Sequence, residues 1–363
     1  GTVVELPEGR FQLDRSLSST VDGVTLRGKG LDKTILSFKG QTQGAEGLLV
    51  KGNNITLEDL AIEDTKGDAI KVHGTDGLVI RRVRAEWTGG PKATNGAYGF
   101  YPVQCKNVLI EDSVAIGASD AGFYIGQSEH VIIRRNKAMR NVAGIESENT
   151  KYADIYENTA TENTGGILVF DLPDLPMQGG KSTRVFNNDI HGNNTDNFAP
   201  EGNIVAKVPP GTGMMIMATD QVEIFNNRFR DNQTVNMLIV SYYVAEKPIN
   251  DKNYDPYPEA LSIHDNTFSG GGDAPSGLLL KLLALKLGKP FPDILYDGII
   301  SAKKLTAQGT LPDELKICIR NNGDADFANA DLEHDFENIR RELGPHDCAH
   351  PSYEPVRLTG NAQ

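Results

Sequence analysis

Apolar and polar residues alternate along this chain in short runs that return with drift. VTLRG at Val24 comes back as NITLEDLAI at Asn54, GLVIRRVRA at Gly77, NVLIEDSVA at Asn107, HVIIRRNKA at His130 and ADIYENTAT at Ala153. It continues as TRVFNNDIH at Thr183, QVEIFNNRF at Gln221 and ALSIHDNTF at Ala260. One column of this phrase, Leu60, Val83, Ser113, Asn136, Asn158, Asn188, Asn227 and Asn266, recurs at steps of 23, 30, 23, 22, 30, 39 and 39 residues. Within each run apolar residues point inward at every second position, as Ile55 and Leu57 do around Thr56. A period in the low twenties is too short for crossover helices, so each run predicts a strand that stacks on its counterpart one coil away. The pattern predicts an all-β chain wound as a parallel β-helix.

The asparagines fit that winding. Asn136, Asn158, Asn188, Asn227 and Asn266 form one ladder and Asn141, Asn163, Asn193 and Asn232 a second, each at a turn where stacked amides bond to the coils above and below. Asn also tolerates the left-handed backbone of a sharp corner. The expected layout is a β-helix over 1–270, then a break, short capping helix and linker over 271–310, and a final coil with an irregular tail over 311–363. The helix is read from SGLLLKLLALKLG at Ser276, with Ser as N-cap and Gly as terminator. Such a helix can cap the solenoid or pack along its side, and a membrane-surface role for this Leu- and Lys-rich stretch is the lesser alternative.

Composition adds limits. The 363 residues carry 38 glycines and a net charge of −13, which suits many turns and excludes a nucleic-acid partner. No apolar run is long enough to span a bilayer, and a monomer is expected. The chain opens on strand language without a start methionine, read as a mature, secreted or periplasmic protein whose export signal has been removed. Cys318 and Cys348 bracket a polar segment and can close a disulfide in an oxidising compartment, with Cys105 a buried thiol.

Two outward surfaces differ. On the repeated strand Glu58, Arg81, Glu111 and Arg134 stack in one column and Asp59, Arg82, Asp112, Arg135 and Glu157 in the next, a structural ladder of alternating sign. The other long strand of each coil instead presents Lys71, Tyr101, Tyr124, Glu146, Leu168, Met215 and Leu238, then His73, Val103, Gly126, Glu148, Phe170, Met217 and Val240. Apolar residues beside Tyr, Lys, His and Glu on one strip predict a binding groove, and the long insertions beside it predict its walls. The insertions can equally cover an apolar side of the coil and bind nothing.

The repeat, with GTVVELPEGRF followed by GVTLRGKGLDKTIL, resembles the right-handed parallel β-helix superfamily of pectate-lyase-like proteins over about residues 1–270. The closing CIRNNGDADFANAD is similar to an uncharacterised secreted bacterial subgroup. The resemblance implies polysaccharide binding along the helix axis, with cleavage or epimerisation of uronic acids. The superfamily's polygalacturonase, mannuronan epimerase and pectate lyase signatures do not occur, so no catalytic residue is carried over.

Chemistry alone nominates residues on the strip. β-Elimination and epimerisation need a group to take the proton beside a uronate carboxylate and a cation to neutralise that carboxylate. Lys71, His73, Tyr101 and Tyr124 are the proton-handling candidates, with Phe170, Met215, Met217 and Tyr242 as substrate contacts. Glu146 and Glu148, with Asp171 or Asp174 on the following loop, are candidate oxygen ligands for Ca²⁺. The same two glutamates can be a solvated pair or a glycosidase pair roughly 7 Å apart, and Tyr101 over Tyr124 can be a sugar-stacking pair. Met214, Met215, Met217 and Met237 read as groove floor rather than a copper site, since alternation turns them to opposite faces. A non-catalytic binding or accessory module and a purely structural solenoid are the competing functions.

Overall fold

A computed structural model describes residues 1–362 as a solenoid of parallel strands joined into a 19-stranded sheet and an 11-stranded sheet. One coil shows the plan. Lys106–Glu111 and Val114–Ile116 lie in the larger sheet, the chain turns, and Ala121–Gly126 lies in the smaller one before Glu129 starts the next coil. Val108 stands opposite Leu78 on one side and Val131 on the other, so inward side chains stack like on like. Phe100 over Phe123, with ring centroids 4.5 Å apart, is one such stack, and the inward columns form one continuous buried core.

Both asparagine ladders form. Asn136 donates through Nδ2 to Asn158 Oδ1 at 3.1 Å, Asn158 to Asn188 at 3.0 Å, Asn188 to Asn227 at 2.9 Å and Asn227 to Asn266 at 3.0 Å. Asn266 donates to Asn322 at 3.0 Å, which carries the ladder into the final coil expected after residue 311. The left-handed corner residue is not the ladder asparagine but the one before it, as at Arg135, Glu157, Asn187, Asn226 and Asp265. The corner turns the preceding side chain out to solvent and the asparagine amide in, where it can reach both neighbouring coils.

The second ladder needs space that glycine supplies. A Cβ at Gly122, Gly144, Gly166 or Gly213 would stand 2.7, 2.8, 2.9 or 2.7 Å from the Nδ2 of Asn141, Asn163, Asn193 or Asn232, respectively. These four inward glycines of the smaller sheet are therefore the complements of stacked amides.

The charge ladder on the larger sheet is present. Glu58 accepts from Arg27 at 2.5 Å, Arg134 lies 2.7 Å from Glu111, and Arg82 and Arg135 hold Asp59 and Asp112 at 2.6 and 2.8 Å.

The C-terminal third differs from the expected layout. The segment 271–310 contains a coil strand, Ile294–Tyr296, which pairs with Val235–Val240 and Phe327–Asn329, so the smaller sheet runs on past 270. The helix, here α1 (Leu278–Leu287), has Gly277 rather than Ser276 at its N-cap and ends at Gly288. It packs Leu283 and Ala284 against the flank of the smaller sheet instead of closing an end. The tail is not loose. Tyr353 N donates to Glu223 Oε2 at 3.1 Å, Val356 N to Asp154 Oδ2 at 3.1 Å and Thr359 N to Asn107 Oδ1 at 3.1 Å, so it runs back over the larger sheet. Leu358 and Ala362 bury against Val79 and Leu109 there. Cys318 and Cys348 are disulfide-bonded, and Cys105 is a buried thiol.

Candidate functional site

The strip on the smaller sheet has the register expected of it. Lys71 pairs with Tyr101, Tyr124 with Glu146, Glu146 with Leu168, Leu168 with Met215 and Met215 with Leu238. The second column runs His73, Val103, Gly126, Glu148, Phe170, Met217 and Val240.

What covers the strip changes its meaning. From Leu168 onward it is the floor of a second hydrophobic cluster, roofed by Val205 and Val208 of one insertion, Tyr242 and Tyr254 of another, and Leu283 of α1. Phe170, Met215, Met217 and Tyr242 are buried here, and of the four only Met215 reaches a cavity, the apolar one under α1. Alternation reports direction, and the insertions that decide whether an outward side chain meets water lie outside the repeat. Met214 faces the main core and Met215 and Met217 the second cluster, so the methionines are apolar packing.

The earlier coils remain half open, and their polar residues converge. Tyr98, Tyr101 and Tyr124 form an aromatic cluster with ring centroids 4.4, 4.5 and 5.0 Å apart. The Lys71 ammonium lies 5.1 Å from the Tyr101 ring centre and 3.9 Å from Glu46. Beneath the rings are three acids, Asp120, Glu146 and Glu148, with exposures of 5%, 0% and 7%. They are not a solvated pair on an open surface. Asn203, from an insertion loop, donates to Asp120 Oδ2 at 2.9 Å, and Tyr124 Oη donates to Glu148 Oε1 at 2.6 Å. Neither carboxyl oxygen of Glu146 has a hydrogen-bond partner among the described residues.

Burial sets the protonation of this group. Loss of water pushes Asp120 to about 7, with the nearby Glu148 charge adding to the rise, and pushes Glu148 to about 7 against the lowering bond from Tyr124. Glu146, wholly buried beside both, is pushed well above the carboxylate range and holds its proton at neutral pH. Burial, then the acids around it, raises Tyr101 to about 12 and Tyr124 well above the ordinary phenol value. Both phenols therefore keep their protons at neutral pH, and the groups of this cluster that titrate near 7 are the carboxyls of Asp120 and Glu148.

His73 stands exposed at the outer end of its column, three coils from Glu148, which at roughly 4.8 Å per coil puts it about 14 Å away. It does not join the cluster. The Ca²⁺ set is not assembled either. Glu148 is bonded to Tyr124, Asp171 accepts the Gly180 N–H at 2.7 Å and Asp174 is exposed. Among the described residues the carboxylates that do approach within 4.8 Å are Asp220, Asp255 and Glu259. There the Lys304 ammonium already serves as the cation, bonded to Asp255 and, at 2.6 Å, to Glu259.

Sequence reasoning missed Tyr98, Asp120 and Asn203. Tyr98 is three residues before Tyr101, and strict alternation would turn it inward. The chain bends between the inward Gly99 and Phe100, so both tyrosines face out. Asp120 lies in a corner, and its partner Asn203 is 83 residues away.

One glycine positions the pair at the centre. Gly126 precedes Glu148 in its column, and a Cβ there would overlap the Tyr124 ring. Its missing side chain lets the phenol lean across to Glu148. Gly126→Ala is expected to break that bond and raise Glu148 by about one pH unit, read from the carboxyl carbon chemical shift during titration.

A pH dependence of stability follows from the same burial. Asp120, Glu148 and Asp171 titrate near 7 and Asp220 near 8, whereas unfolded carboxyls titrate near 4. Between these limits the folded chain binds more protons than the unfolded one, so stability falls as pH rises. Their favourable contribution is complete below about pH 4 and lost above about pH 8. The urea midpoint is expected to drop steadily from pH 5 to 8, with a shallower slope in Glu148→Gln.

Comparison with known proteins agrees with this architecture. Residues 22–174 match the family described as right handed beta helix region. The A-module of mannuronan C-5 epimerase AlgE4 from Azotobacter vinelandii superposes with a TM-score of 0.56 at 19% identity, covering 82% of this chain and 83% of that one. The AlgE6 A-module from the same organism gives 0.55 at 18% identity, covering 82% of each. Endopolygalacturonase I from Stereum purpureum gives 0.45 at 14% identity over 74% of this chain and 85% of that one. No curated protein matches in sequence. The chain is a right-handed parallel β-helix, and these likenesses define its fold.

Proposed function

We propose that this is an exported protein that binds an acidic, uronate-containing polysaccharide and moves the proton beside its carboxylate, by β-elimination or epimerisation. The observation that carries the reading is the acid cluster. Asp120 and Glu148 sit near pH 7 and Glu146 stays protonated, beneath a half-open rim of Lys71, Tyr98 and Tyr101. Such a site holds donors and acceptors at once, as proton transfer at neutral pH requires. The neutral Glu146 donates a hydrogen bond to the uronate carboxylate, and Lys71, three coils along the strip, pairs with another carboxylate of the same polymer. Glu148, in its ionised fraction, accepts the proton from the adjacent carbon. In elimination the Tyr101 phenol protonates the departing oxygen as the bond breaks; in epimerisation it returns a proton to the opposite face. The Cys318–Cys348 bond supports an oxidising compartment, hence export.

The test is proton NMR with a panel of uronate polysaccharides in D₂O. Unsaturated-sugar signals identify a lyase, and deuterium entering beside the carboxylate without cleavage identifies an epimerase. Silence across the panel overturns the reaction. A non-catalytic binder is the second reading, favoured by the roof over the strip beyond Leu168, which leaves the rim as its polar accessible part.

A further inference from the structure

Helix α1 carries an exposed apolar face that nothing in the fold covers. Leu278, Leu279, Leu282 and Leu285 are 77%, 47%, 49% and 83% exposed. Seven large hydrophobic side chains are this exposed among the described residues, and four of them fall within these eight positions. The opposite face is anchored: Leu283 and Ala284 are buried, and Lys286 donates to the Asp335 and Phe336 carbonyls at 3.0 and 3.2 Å. The exposed row therefore stays outward.

Its charge is opposite to that of the chain. The net charge is −13, yet α1 contains lysines and no acids, and Lys281 and Lys289 are exposed and make no ion pair. Asp196 lines the depression beside them without pairing to either. An apolar-walled cavity of about 540 Å³ opens beneath Leu278 and Leu279, with Met215, Leu238 and Val240 in its lining. A ten-residue helix is about 15 Å long, too short to span a bilayer and long enough to lie in its interface.

We propose that α1 docks the protein on an anionic lipid surface. The four leucines enter the acyl boundary, Lys281 and Lys289 meet the headgroups, and the cavity accommodates the end of one acyl chain. A second copy of the chain fits less well, because face-to-face pairing would set these lysines against their own counterparts. Local charge governs the encounter, since at about 0.1 M salt the acids beyond roughly 10 Å are screened. The inference is independent of the reaction proposed above and stands or falls without it.

The test is cosedimentation with vesicles of phosphatidylcholine containing phosphatidylglycerol, against pure phosphatidylcholine. Binding is expected to the anionic vesicles only. Leu278→Ser combined with Leu282→Ser and Leu285→Ser should lower it at least tenfold, and Lys281→Gln with Lys289→Gln about fivefold per lysine. Both variants should keep the urea midpoint, since every altered side chain is exposed, and the lysine variant should keep turnover of any soluble polymer. Equal binding by the leucine variant, or none by the unaltered protein, overturns the proposal. A concentration-dependent dimer, abolished by the leucine variant and without vesicle binding, assigns the face to a second copy and overturns it equally.

Discussion

Glu148→Gln is expected to reduce turnover of a uronate polysaccharide by about 10²–10⁴-fold while leaving the fold intact. The amide keeps the shape of the acid, and its oxygen can still accept the Tyr124 hydroxyl that lies 2.6 Å from Glu148 Oε1. What it cannot do is take up a proton. Affinity for the polymer should change little, because Lys71 and the aromatic rim are untouched, so the loss appears in kcat rather than KM. A variant with unimpaired kcat would remove Glu148 from the reaction. Glu146→Gln provides the contrast: it places a neutral group where the buried acid already holds its proton, and is expected to bind substrate with a smaller loss of rate.

The second large effect concerns stability. Asn158 makes four bonds inside the core. Its Oδ1 accepts from the Asn136 backbone at 3.0 Å and Asn136 Nδ2 at 3.1 Å, and its Nδ2 donates to Ile133 O at 2.9 Å and Asn188 Oδ1 at 3.0 Å. Asn158→Ala removes all four bonds where water cannot reach: the Asn136 backbone N–H and the Ile133 carbonyl lose this partner outright, while Asn136 Nδ2 keeps Ile110 O and Asn188 Oδ1 keeps the Asn158 backbone N–H. At about 1–3 kcal/mol for each buried group left unpaired, a loss of about 4 kcal/mol is expected. Urea denaturation followed by circular dichroism measures it. A surface asparagine would give a few tenths, so a small value would mean that the ladder is decorative.

The fold was legible because a solenoid writes its geometry into a period. Every coil places the same residue types at the same corners, so the ladders, the charge columns and the register of the strip could be read off directly. Three things were not. The second cluster over Phe170, Met215 and Met217 is built from insertions that share no period with the coils, and alternation is silent about what lies above an outward side chain. The tail bonds to Asn107 from 252 residues away, a contact that no local pattern encodes. The acid cluster needed burial as well as composition. Glu146 and Glu148 were found as a pair, but their protonation depends on Asp120 in a corner and on the tyrosine roof, neither of which the repeat encodes.

The first ladder carries a consequence for how such a chain can change. The amide bond between neighbouring rungs spans 22 residues at Asn136–Asn158, 30 at Asn158–Asn188, 39 at Asn188–Asn227 and 56 at Asn266–Asn322, and its length stays between 2.9 and 3.1 Å throughout. The rungs do not register how much chain lies between them. A loop can be lengthened, shortened or exchanged between two rungs without asking the scaffold to move, so the surface that meets a ligand is free to diversify while the architecture underneath it is inherited unchanged.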